Sequence, residues 1–121
     1  MKALILTLAL TSPALAEMPE FTRLACDFDA VEGVADARAI DVVPDGTSFR
    51  IADGADNQPA LMADGDPENG LYGLAWMGED GANVLLSFTD SGEAELSRHF
   101  LTGEEGLMWT TQIGRCSKEA N

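Results

Sequence analysis

Histidine is almost missing from this sequence: His99 is the single one in 121 residues. A metal site built on two imidazoles is therefore excluded, and a Ser-His-Asp triad would have to use that one ring. Cations are scarce as well, with 7 Lys and Arg against 21 Asp and Glu and a formal charge of −14. Such a chain repels nucleic acid and anionic lipid. Cysteine occurs twice, at Cys26 and Cys116, without the CxxC spacing of a redox motif or a zinc site. No apolar run approaches the ~20 residues that a membrane-spanning helix needs, and no stretch carries a convincing helical period. The G-x-S-x-G, P-loop, H-E-x-x-H and dinucleotide fingerprints are all absent. These absences point away from catalysis and from a cofactor.

What is present begins with a leader. Lys2 precedes an apolar run over residues 3–10, and Ala14-Leu15-Ala16 supplies the small-x-small pattern of signal-peptide cleavage. Cleavage is expected after Ala16, leaving a single domain over residues 17–121. A lipoprotein signal ending at Cys26 is the poorer reading, because Arg23 stands where an apolar residue is wanted and Glu17 and Glu20 intervene. Loss of Lys2 leaves 6 Lys and Arg against the same 21 acids, a formal charge of −15. The expected location is the bacterial periplasm or the outside of the cell.

From Thr22 onward, short apolar or β-branched runs alternate with turn chemistry at the spacing of an all-β sandwich or barrel. "TRLACDF" puts Leu24, Cys26 and Phe28 on one face, the period of two of a half-buried strand. Residues 37–43 and 47–52 flank Pro44-Asp45-Gly46, a hairpin signal. "QPALM" reads as a weak edge strand because Pro59 cannot donate a ladder bond. Four more runs follow at 71–77, 83–89, 93–101 and 107–113, joined by connectors rich in Gly and acids. About eight strands with links too short for crossover helices predict an antiparallel meander, closed or nearly closed into a small barrel. In such a meander the first and last strands meet. With Cys26 in the first and Cys116 just beyond the eighth, an oxidising compartment predicts a disulfide between them.

His99 alternates with Phe100; if Leu96, Arg98 and Phe100 share one face, His99 lies with Glu95 and Ser97 on an outer, solvated one. Asp64, Asp66 and Glu68 resemble the start of a calcium loop, but the glycine arrives late at Gly70 and Ala75 holds the position of the bidentate acid. A solvated turn without metal is the better reading. Tyr72 and Trp76 share a strand face, and with Trp109 in the last strand they are expected to fill the core or to line a cavity for an apolar ligand. The acids gather in connectors, which makes Glu79, Asp80, Glu104 and Glu105 the candidate contacts for a cationic partner. In an up-and-down barrel the loop at 64–68 should share one end with Asp90, and the turns at 79–80 and 104–105 the other.

The short leader, Cys26 in the first strand, Cys116 after the last, and "LYGLAWM" over residues 71–77 together resemble the small periplasmic β-barrel proteins of proteobacteria, among them the inhibitors of C-type lysozyme. That resemblance implies a disulfide-clasped barrel. The inhibitory loop of that family carries Ser-Gly-x-x-Tyr, whereas Glu68-Asn69-Gly70-Leu71-Tyr72 stands here, so no inhibitory residue carries over. The expected function is binding, as a module or inhibitor facing a cationic envelope or secreted protein. The alternatives are a lipocalin-like carrier of a small apolar ligand and a purely structural envelope role.

Overall fold

In the computed structural model, residues 18–54 and 56–120 are described; the leader expected over residues 1–16 lies outside them. Eight strands run in chain order: β1 Arg23–Phe28, β2 Arg38–Asp45, β3 Ser48–Asp53, β4 Asp56–Asp66, β5 Leu71–Met77, β6 Asn83–Thr89, β7 Glu93–Thr102 and β8 Gly106–Glu119. A single 3-10 turn, Pro67–Asn69, joins β4 to β5. Each strand pairs antiparallel with its sequence neighbours, and β8 returns to β1 to close the barrel.

Alternation along each strand builds the core. Leu24 and Phe28 of β1, Ile40 and Val42 of β2, Ile51 of β3, Leu74 of β5, Leu86 and Phe88 of β6 and Leu96 of β7 all lie at or near zero exposure. Burying each such side chain contributes ~1.5–3 kcal/mol, and together they fill the interior. At the end where both termini lie, Met18 and Phe21 are buried as well, and the Phe21 ring stacks on Phe49 at 6.0 Å between centroids.

Three local expectations shift. Pro44 and Asp45 belong to β2, where Pro44 faces Phe49, so the turn contracts to the two residues after Asp45, with Gly46 at φ 65°. Positive φ there is what a tight hairpin demands and glycine permits. "QPALM" is the middle of an eleven-residue strand inside a closed sheet. Pro59 is tolerated because β4 pairs with β3 over residues 56–60 and with β5 only from Leu61 onward, so no β5 residue is registered against it. Strand β8 does not end at Ile113 but continues to Glu119, which places Cys116 inside the last strand, not beyond it.

Closure is set at the β1–β8 seam. Cys26 and Cys116 are directly opposed, 4.0 Å apart at Cα, both buried, and joined as a disulfide. Cys116 N–H donates toward β7, to Gly92 O at 2.7 Å. The cysteines are therefore a non-hydrogen-bonded cross-strand pair, the closer of the two kinds of antiparallel neighbour. Two residues earlier, Gly114 faces Phe28, and a Cβ built there would stand 1.9 Å from the Asp27 carbonyl oxygen. Only glycine lets the two backbones approach so closely. Arg23 closes the outside of the seam, bonding Glu119 and Asp41 at 3.1 Å each.

Replacing Cys26 and Cys116 together by Ala is expected to lower the unfolding free energy by ~4–5 kcal/mol, the chain-entropy value for a loop of this size. Gly114→Ala, with the disulfide intact, is expected to cost about 2–3 kcal/mol because β1 and β8 must part. Urea unfolding followed by circular dichroism checks both.

Candidate functional site

The inward position of Cys116 sets the parity of β8. Its register with β7 runs without a shift from Arg115 to Gly106, so Cys116, Gly114 and Gln112 face in and Trp109 faces out. Trp109 is 65% exposed, whereas Tyr72 and Trp76 are buried in the core. The expectation that all three fill the core or line a cavity is corrected for Trp109, since an odd-numbered residue of this strand points away from the barrel axis. The Tyr72 hydroxyl donates to Asp90 Oδ1 at 3.0 Å. Burial, and then that hydrogen bond, push its phenol above the ordinary range.

Strands β7 and β8 outrun the rest of the barrel. Pairing of β6 with β7 ends at Asn83 opposite His99, and pairing of β1 with β8 ends at Phe28 opposite Gly114. Beyond His99 the two strands, among the described residues, pair only with each other, through Phe100–Met108, Leu101–Leu107 and Thr102–Gly106. Three further residues at ~3.3 Å each carry this ribbon ~10 Å past the start of β6. Its outward side shows Leu101, 80% exposed, Leu107, 59% exposed, and Trp109. Its tip carries Glu104 and Glu105, both exposed, and the Glu105 N–H is held by Thr102 Oγ1 at 3.0 Å.

The four acids expected to act together are divided by this geometry. By topology the β5–β6 link with Glu79 and Asp80 and the β7–β8 turn lie at the same end of the barrel. The second pair, however, stands on the projecting tip. Asp80 is committed locally: its Oδ1 accepts from Ala82 N–H at 3.1 Å and its Oδ2 from Arg98. The Ala82 bond first, and the Arg98 charge after it, hold the Asp80 carboxyl below the usual range against the opposing effect of burial. Arg98 faces inward at the mouth and lies over Phe100, 5.8 Å from the ring centroid. Beside it Gln112, 1% exposed, donates through Nε2 to the carbonyls of Asp29 and Asp36, at 3.0 and 2.9 Å. A single buried amide thereby ties the β1–β2 loop to β8.

At the opposite end the loop at 64–70 meets Asp90, whose N–H donates to Gly70 O at 3.0 Å. Asp64 and Asp66 belong to the end of β4, Glu68 to the 3-10 turn, and Asp66 accepts from Asn69 Nδ2 at 2.8 Å. Among the described residues no three His, Cys, Asp or Glu side chains converge as a metal site. His99 is exposed on the outer face, directly between Asn83 and Trp109 across the sheet. An amide and an indole offer it no carboxylate for orientation. A recess of about 510 Å³ lies between the segment from Met18 to Thr22, Pro44, Phe49 and Ala120, outside the filled interior.

Sequence reasoning misses the ribbon because it places Trp109 in the core or against a cavity. The signal was available in Cys116: a cysteine bridged into the barrel, an odd number of positions from Trp109, turns the indole outward. No family model, curated protein or solved structure matches the chain.

Asp80→Asn is expected to lower stability at pH 7 by about 1 kcal/mol, less than for a buried pair because Asp80 is more than half exposed. The folded-state carboxyl titrates below its unfolded value of 3.8. Its contribution is therefore complete above that value and is lost as the pH falls through the lower folded one. Urea midpoints measured from pH 7 to pH 2 should converge for parent and variant at the acid end.

Proposed function

We propose that this chain is an exported, non-catalytic binding module that captures a cationic protein on the projecting β7–β8 ribbon. The observation that carries the reading is the ribbon itself, where Leu101, Leu107 and Trp109 lie exposed behind an acidic tip in a chain of charge −14. Large apolar side chains collected on the outside of a soluble domain mark an interaction surface. Trp is the residue type most often found at the energetic centre of such surfaces. The acids would steer a basic partner and hold its orientation, while the indole and the two leucines supply the area removed from water.

The leader over residues 1–16 and the Cys26–Cys116 bridge support export, since a disulfide persists in an oxidising compartment. The filled interior favours the outer surface over a barrel cavity as the place of binding. The acidic turns and the disulfide-clasped barrel accord with an inhibitor-like role toward a secreted or envelope protein. The inhibitory loop of the lysozyme-inhibitor family is not the element invoked here; the ribbon is.

Binding of cationic secreted proteins, C-type lysozyme among them, is to be measured by isothermal titration calorimetry, with tryptophan emission followed in the parent chain, where Trp109 is the exposed indole. Binding should blue-shift that emission and weaken steeply as salt shortens the Debye length below ~10 Å. Trp109→Ala should weaken binding by about tenfold or more. Glu104→Gln with Glu105→Gln should flatten the salt dependence, and Glu79→Gln should add little. Binding that ignores salt and all of these substitutions overturns the proposal.

A further inference from the structure

The two edges of β8 are unequally paired. Toward β7 the register is continuous from Arg115 to Gly106, but toward β1 it stops at Gly114, with one more backbone bond from Asp29 N–H to Ile113 O at 2.9 Å. Cys116 N–H donates toward β7, to Gly92 O. Even-numbered residues of β8 therefore turn their backbone groups to β7 and odd-numbered ones turn theirs to the β1 side, as Ile113 does. The N–H and C=O groups of Leu107, Trp109 and Thr111 face that side, where among the described residues no strand and no loop backbone pairs with them.

An exposed edge is ordinarily blunted by charge, proline, a bulge or a covering loop. Residues 107–113, "LMWTTQI", contain no charge, no Pro and no Gly, and their register with β7 has no shift. Acids flank the open stretch on both sides. Glu104 and Glu105 stand at the tip, and Asp29, Glu32 and Asp36 lie exposed in the β1–β2 loop that Gln112 fastens at its base. Pairing of this edge with a second copy in the antiparallel sense would set the acidic tip of each chain against the acidic loop of the other. Coulomb repulsion opposes that arrangement and favours a cationic occupant.

We infer that the open edge of β8 at residues 107–111 accepts an extended Lys- or Arg-bearing segment of a partner protein as an added strand. Main-chain hydrogen bonds to Leu107, Trp109 and Thr111 hold the segment, alternate side chains pack on Leu107 and Trp109, and its cations meet the flanking acids. The inference rests on the ribbon being the docking surface and adds how a partner is held there.

The test uses the full mature chain, labelled with nitrogen-15, and an unstructured peptide of about ten residues alternating Lys and Val. A second peptide is N-methylated at alternate residues, which keeps charge and apolar groups and removes one edge of donors. The amides of Leu107, Trp109 and Thr111 should shift on binding, and their hydrogen exchange should slow by about tenfold or more. N-methylation in the register that blocks the facing edge should weaken binding by at least about tenfold. Thr111→Pro, at a position whose N–H makes no backbone hydrogen bond among the described residues, should do the same with the barrel spectrum retained. If that variant does not fold, the methylated peptides carry the comparison. Binding that leaves those amides unprotected, or that ignores N-methylation in both registers, overturns strand addition while leaving side-chain docking on the ribbon standing. No binding of the peptide at millimolar concentration also overturns it, whereas the protein titration above stands or falls separately. A dimer by sedimentation that Thr111→Pro abolishes assigns the edge to a second copy and overturns the cationic occupant.

Discussion

The approach of β8 to β1 is the constraint on which the remaining structure depends. An antiparallel meander of eight strands has two free edges until its ends meet, and here they meet at the opposed pair Cys26–Cys116 with Gly114 admitting the Asp27 carbonyl beside it. The disulfide stabilises chiefly by restricting the unfolded chain. The glycine acts on the folded state, because any side chain at that position would occupy the space of a backbone atom. Covalent bond and missing side chain are thus complementary conditions for one closed sheet.

Closure has two consequences for where the apolar side chains lie. It directs Leu74, Leu86, Phe88 and their neighbours to a common axis, where they fill the barrel and leave its inside to packing. It also stops short of the full length of β8, because β1 is only six residues long whereas β8 has fourteen. The excess length of β7 and β8 has no further strand to pair with among the described residues and becomes the ribbon. Its exposed apolar side chains and its open edge come from the same mismatch in strand length.

Polar groups organise the mouth at that end. Arg98 is inward and largely buried, and Asp80 reaches it from the β5–β6 link while also capping Ala82 N–H. Gln112 satisfies its amide on two carbonyls of the β1–β2 loop. A buried guanidinium or amide without such partners is costly. The acidic character of these loops is therefore partly structural, and the acids at Glu104 and Glu105 stand apart from it on the tip.

Much of the fold was legible in the residues. Alternation in "TRLACDF" and "NVLLSFT", Gly at the connectors and the cysteine spacing lead to eight strands, a meander and a clasp, because turn chemistry and period-two patterning are local properties of the chain. Pro44 and Pro59 misled for the same reason: proline signals turns and edges locally, whereas each sits in a strand at a point that neighbouring strands leave unpaired or tolerate. The tertiary structure alone decided how far β8 extends and which way it faces. Trp109 in isolation fits a core position as well as an outer one; its direction follows from Cys116, and the direction of Cys116 follows from a partner ninety residues away. The sequence by itself determined that the chain would form a small, acidic, all-β domain. Which apolar residues of β8 remained outside was decided by register across the closing seam, since a strand's parity is set by pairing and not by composition.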